Sequence, residues 1–375
     1  MQRRLSPGDG VLRASLDPSS RAHLSDVQFS YPLKVIVPAR RFLPRLQCVY
    51  VIGYGGGLVA GDRVRLKVEV DEGVTLVMLT QGAFLLLTVA ALKGCPLGGR
   101  ARMGHRQRRT PTSHHAHLPF LYLAGSTKVF KVRPGRYLSA PTLSESSTTQ
   151  QLYRLTVQPR ATLVVLPAPV TCFSRARYTQ RQVVRLAADG SSSLVLLDWY
   201  TSGRMDMGAR QGEGAEGGGG EEWEFERYRS ENEVWIGDKR VAKDVLLLED
   251  EAAPPPTTSP EEQDVPPERH TTTYRSRVAP YSCYATLFLF GPSCTRILAS
   301  LEAQFGALVQ HKQRAPFSLV WSFSPLATGT GGGGGGIARC AGDSTEAVRE
   351  WVTHVLGEGG IEELVSRDLW KTAFN

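Results

Sequence analysis

The chain is 375 residues long with 41% apolar side chains, and its longest apolar run, 83–92, falls short of the roughly 20 residues a membrane-crossing helix requires, which excludes a helical membrane protein. The formal charge of +8 raises nucleic-acid binding, but Lys93, Arg100, Arg102, Arg106, Arg108 and Arg109 lie together in 83–125 without a single acid, so the remainder is nearly balanced and carries no basic face. Six cysteines without a Cys-x-x-Cys pair, and an N-terminus without the apolar core of a signal sequence, describe reduced packing thiols in a cytoplasmic protein.

Along the chain, period-two alternation rich in β-branched and aromatic residues predicts strands at 63–70, 74–80, 151–157, 161–166, 182–186, 193–198, 222–228, 233–236, 284–290 and 317–323. No helical pattern lies between them to carry a parallel crossover, so the expected class is all-β and mainly antiparallel. Two segments near the C-terminus break the alternation and predict helices. They are 294–313, with Ile297, Leu298, Leu301, Phe305 and Leu308 at helical spacing, and 344–356, with Val348, Trp351, Val352 and Leu356. A single domain over 1–375 is expected. Its low-complexity loops are the Gly/Glu-rich 208–221, the Pro/Thr-rich 250–268 and the glycine tract 329–336, and 83–125 differs abruptly in composition from both flanks.

The motif Tyr54-Gly-Gly-Gly-Leu-Val-Ala-Gly-Asp62 has the glycines of a nucleotide loop but is followed by a strand pattern rather than a helix, and Asp62 stands where a phosphate loop needs a lysine. A tight turn carrying one acid is the expected structure. His114, His115 and His117 lie in low-complexity sequence without a Cys or an acid to complete a metal shell, and read as a solvated loop. No nucleophile elbow or Cys/His arrangement is present, so no catalytic residue is assigned. An enzyme with a dispersed active site and a basic nucleic-acid-binding β protein stay open as alternatives. Asp198 and Asp244 are acids embedded in apolar strands, and burying a carboxylate is costly unless it is paired or meets a cation. An ion pair of Asp198 with Arg204 is one expectation, and the lining of a polar passage is the other.

The ordered set Tyr54–Asp62, Thr80-Gln-Gly82, Ser126-Thr-Lys-Val-Phe-Lys131, Leu166-Pro-Ala-Pro-Val-Thr-Cys-Phe173, Leu197-Asp-Trp-Tyr-Thr-Ser-Gly-Arg204, then Tyr228-Arg-Ser, Glu233-Val and Asp244 resembles the UreD (UreH) urease accessory proteins, in a form like the fungal branch. The likeness runs from Leu12 to Glu249 and continues more weakly to Trp370. It implies a superhelical or sandwich-like β assembly with two helices, and a non-enzymatic chaperone that binds apo-urease with UreF and the GTPase UreG and passes Ni²⁺ through a tunnel. No cofactor is held permanently, and no nucleic acid or membrane is a partner. By the same resemblance Asp62, Asp198, Asp244 and Glu233 are the candidate acids of the transient nickel path, while Ser126 and Arg204 lie in matching motifs without an assigned role. Ala168 stands where the family places a polar residue, so no role is carried onto it. The family runs directly from Thr-Gln-Gly to Ser-Thr-Lys, which makes 83–125 an insertion and suggests a translated retained intron.

Overall fold

The computed structural model describes residues 5–40, 42–80, 127–130, 148–203, 221–250, 273–308, 318–328 and 334–374. The expected insertion 83–125, the three histidines, Ser126 and Arg204 all lie outside these residues, as do nearly all of 208–221 and 250–268.

The strands, in chain order, are β1 (Asp9–Leu16), β2 (Ala22–Phe29), β3 (Leu33–Ile36), β4 (Leu46–Gly53), β5 (Gly57–Leu58), β6 (Arg63–Val70), β7 (Thr75–Leu79), β8 (Thr127–Val129) and β9 (Thr149–Val157). They continue as β10 (Thr162–Leu166), β11 (Val170–Cys172), β12 (Arg177–Leu186), β13 (Ser193–Thr201), β14 (Arg227–Ile236), β15 (Lys239–Glu249), β16 (Cys283–Phe290), β17 (Leu319–Leu326) and β18 (Gly335–Gly342). The helices are α1 (Tyr274–Val278), α2 (Thr295–Gly306), α3 (Thr345–Glu358), α4 (Ile361–Val365) and α5 (Arg367–Phe374).

One sheet runs in the order β15-β14-β12-β9-β6-β1-β2, and the second runs β17-β18-β16-β13-β10-β7-β4-β3 with β5, β8 and β11 at its side. The expectation of a mainly antiparallel fold is corrected here. In the first sheet β6, β9, β12 and β14 pair parallel, and in the second β4, β7, β10 and β13 do so. The chain supplies the crossovers without helices: it leaves β6 for β7 in the facing sheet, returns to β9, crosses to β10, returns to β12 and crosses to β13. The opposing strand takes the place of the helix that a parallel connection ordinarily uses. Antiparallel pairing is confined to the flanks, as in β14–β15, β13–β16 and β17–β18.

Two apolar layers follow. Inward residues of both sheets, among them Leu66, Val68, Leu76, Leu155, Leu163, Leu194 and Phe288, form the core between them. The opposite face of the second sheet, with Val164, Val195, Leu197 and Leu287, packs against Ile297 and Leu301 of α2 and Val348, Val352 and Leu356 of α3. Strand β13 is buried along its whole length because it meets an apolar layer on each side, which explains its unbroken apolar run. Each such side chain contributes about 1.5–3 kcal/mol on full burial. Helix α3 begins where Ser344 Oγ accepts the Ala347 amide, and the two expected helices are present with shorter ones beside them.

Two local expectations fail for packing reasons. Residues 222–226 turn rather than extend, because Trp223 has φ 54° and both Trp223 and Phe225 insert into the core. The end of the glycine tract is strand: a Cβ on Gly336 would lie 2.6 Å from the Phe323 ring, so glycine is what lets β18 pass beneath that ring between β16 and β17.

Candidate functional site

Strand parity decides which polar groups enter the space between the sheets. On β12 and β14 the inward positions read Tyr178, Gln180, Gln182, Val184 and Tyr228, Ser230, Asn232, Val234, so two polar residues replace apolar ones in the middle of each series. Asp198 of β13 faces them from the other sheet. Its Oδ1 accepts from Gln180 Nε2 at 2.6 Å, and its Oδ2 accepts from Ser230 Oγ at 2.5 Å and Asn232 Nδ2 at 2.6 Å. Gln182 Nε2 donates to Asn232 Oδ1 at 3.0 Å, and Tyr178 Oη donates to Gln180 Oε1 at 3.1 Å.

All three donors to Asp198 are neutral. Burial raises its pKa above the ordinary 3.8, the three hydrogen bonds pull it back, and the nearby Asp244 carboxylate adds to the rise. Beside it the hydroxyl of buried Tyr228 has no hydrogen-bond partner among the described residues. Burial and then the Asp198 charge push that phenol well above its usual range. A buried orphan hydroxyl next to a carboxylate is a place for one further polar ligand. Tyr200 stacks on Tyr228 at 4.6 Å and on Tyr284 at 5.6 Å, closing one wall with aromatic rings.

The polar groups form two facing rows that run outward to the same edge. In the first sheet Gln182 pairs with Asn232 and Asn232 with Asp244; in the second Asp198 pairs with Thr286, Thr286 with Arg339, and Arg339 with Ser322. Exposure increases along both rows, from buried Asn232 and Asp198 to half-buried Asp244 and exposed Ser322. At the edge Arg339 Nη2 donates to Asp244 Oδ1 at 2.7 Å.

Of the four acids singled out in the sequence, Asp198 and Asp244 belong to this lane. Asp62 staples the turn before β6: its Oδ2 accepts the Val59 amide at 2.8 Å, its own amide donates to Val59 O, and partial burial raises its pKa. This is the acid-bearing tight turn expected from the glycine motif. Glu233 follows Asn232 by one residue and so points to the outer face, where Arg181 Nη2 donates to it at 2.8 Å and Trp235 Nε1 at 3.1 Å. The Arg181 hydrogen bond lowers its pKa. Among the described residues no group of three or more His, Cys, Asp or Glu side chains could hold a metal ion. The described cysteines are free and buried, with burial pushing the thiols of Cys48, Cys283 and Cys294 up to about 12.

The sequence profile described as "UreD urease accessory protein" matches residues 8–91 and 112–366. The chain belongs to the UreD family. It is 30% identical to urease accessory protein 4 of Cryptococcus neoformans over 98% of this chain and 95% of that protein. It is 27% identical to urease accessory protein D of Arabidopsis thaliana over 88% of each chain. It is also 29% identical to a UreD of Sorangium cellulosum over 87% of this chain and 72% of that one. These UreD relatives are named as accessory proteins and not as enzymes, in agreement with the non-enzymatic reading of the sequence.

Gln180, Gln182, Asn232 and Arg339 were not singled out in the sequence, and Tyr228 and Ser230 entered only as part of a motif, without a role. The usable signal was polar amides and hydroxyls at the parity that otherwise carries Val, Leu and Tyr. On the outer face of the first sheet several basic side chains of this UreD chain pair with acids, as in Arg65–Asp9, Lys67–Glu69, Arg181–Glu233 and Arg229–Glu231. No helix among the described residues is long and apolar enough to cross a membrane.

Proposed function

We propose that this chain assists urease maturation in the cytoplasm as a scaffold that binds apo-urease with UreF and, with it, the GTPase UreG, and that Ni²⁺ in transit moves along the lane between the sheets. The observation that carries this is Asp198: a buried carboxylate with three neutral donors, no cationic partner among the described residues, and beside it a phenol that has no hydrogen-bond partner among them. Such a carboxylate favours an arriving cation, because an ion pair offsets the desolvation that the neutral donors only partly relieve.

Carboxylate, amide and hydroxyl oxygens hold Ni²⁺ more loosely than imidazole or thiolate would, which suits a path that must release its cargo. The ion must meet a deprotonated Asp198, the form whose two oxygens accept from Gln180, Ser230 and Asn232. Glu233 and Asp62, the other two acids of the sequence-based set, act in this account as the buried member of an ion pair with Arg181 and a turn staple. Co-purification tests the scaffold reading: the tagged chain, co-expressed with urease, UreF and UreG, retains all three, and failure to retain urease when UreF is present contradicts it.

A further inference from the structure

The Asp244–Arg339 ion pair differs in kind from the others. Among the described residues it is the one that ties a strand of the first sheet to a strand of the second, and it does so where both polar rows reach the edge. Arg339 shares its inward parity with Ile337 of the inter-sheet core, while Ala338 and Cys340 face the helices. Its side chain is 44% exposed and that of Asp244 23%, so the guanidinium reaches inward from water rather than being sealed in. Behind it lie Thr286, Asn232 and Asp198, all neutral or acidic.

We infer that Arg339 is a built-in counter-ion that occupies the cation position at Asp244 and gates the mouth of the lane. This rests on the conduit reading above and goes beyond it by assigning a role to a residue that reading does not require. A half-exposed guanidinium gives up its carboxylate at small cost because water takes over its hydrogen bonds. A monovalent ion offers Asp244 no more charge than Arg339 already does and has no reason to displace it. A divalent ion offers twice the charge and finds a second carboxylate, Asp198, one amide further in. The same guanidinium keeps Asp244 from standing uncompensated when no cargo is present.

The test is Ni²⁺ affinity of the isolated full chain, measured by competition with a chromophoric chelator, for the wild type, Arg339→Gln, Arg339→Lys and Arg339→Gln/Asp244→Asn. Arg339→Gln is expected to bind Ni²⁺ about tenfold more tightly, because the carboxylate is freed from its internal partner. Adding Asp244→Asn is expected to abolish the gain, and Arg339→Lys to show a smaller gain in the same direction. Unchanged or weaker binding in a folded Arg339→Gln chain, or a gain that survives Asp244→Asn, overturns the gate. Should Arg339→Gln fail to fold, Arg339→Lys decides alone, and wild-type affinity overturns the proposal. A separate arm reads nickel delivery to urease with Asp198→Asn. Reduced delivery together with unchanged Arg339→Gln affinity overturns the gate and leaves the conduit standing, whereas undiminished delivery overturns the conduit itself.

Discussion

Asp198 and Glu233 lie on opposite sides of β14: the amide of Asn232 holds Asp198 between the sheets, and the very next residue, Glu233, is held by Arg181 on the outer face. One acid meets only neutral donors and the other meets a cation, so their protonation works on stability in opposite directions.

For Asp198 the folded pKa lies above the ordinary 3.8, so the folded chain holds more protons than the unfolded chain in that window and loses stability as pH rises through it. Asp198→Asn removes that loss. Its Tm relative to the wild type is expected to climb as pH goes from about 4 toward neutrality. For Glu233 the folded pKa lies below 4.5, so its contribution is present above that value and is lost as pH falls through the folded pKa. The relative Tm of Glu233→Gln is expected to fall as pH rises. Thermal unfolding across pH checks both, and slopes of the same sign for the two variants contradict the placement.

Asp62 is expected to matter as a turn residue. Asp62→Ala leaves the Val59 amide without its acceptor and is expected to cost about 0.5–1.5 kcal/mol, while Asp62→Asn keeps an acceptor oxygen and most of the stability. Denaturant midpoints of the two variants check this, and equal losses contradict it.

Gly336 is expected to tolerate no side chain. Gly336→Val would drive Cγ atoms into the Phe323 ring and is expected to cost about 1–3 kcal/mol, whereas a glycine of an ordinary surface loop would accept the change with little effect.

Residues 83–125 are expected to be dispensable. Thr80 Oγ1 accepts the amide of Ala168 and the Thr127 amide donates to Pro169 O, so the two flanks are fastened to adjacent residues. Gln81, Gly82 and Ser126 suffice to rejoin them, since four peptide steps span about 14 Å. The chain lacking 83–125 is expected to keep the Tm of the full chain and to support urease maturation at least as well. The family match itself breaks at 92–111, inside this segment. Sequencing the mature transcript checks the retained-intron origin: reads that lack the stretch support it, and its presence in every read contradicts it.

Much of the fold was legible because alternation reports which face of a strand is buried. Strand β6 matches its predicted bounds, and the apolar spacing of 344–356 marks α3 to within two residues. Alternation is silent on which strand is the neighbour, so parallel pairing through a facing strand was not visible, and the missing helices were taken as a sign of antiparallel order. At the site, Asp198 and Asp244 stood out as acids in apolar strands. Glu233 was grouped with them because its position in a motif says nothing of its parity relative to Asp198. The donors Gln180, Ser230 and Asn232 became meaningful only once β12 and β14 were known to be neighbours facing β13.

The measurement that bears most directly on the central claim is the nickel content of urease matured with the Asp198→Asn/Asp244→Asn chain, read alongside recovery of the intact complex with UreF and UreG. The account predicts full assembly with urease that is clearly poorer in nickel than with the wild-type chain. Normal nickel content in that urease, or failure of the complex to assemble at all, would contradict a path through Asp198 and Asp244.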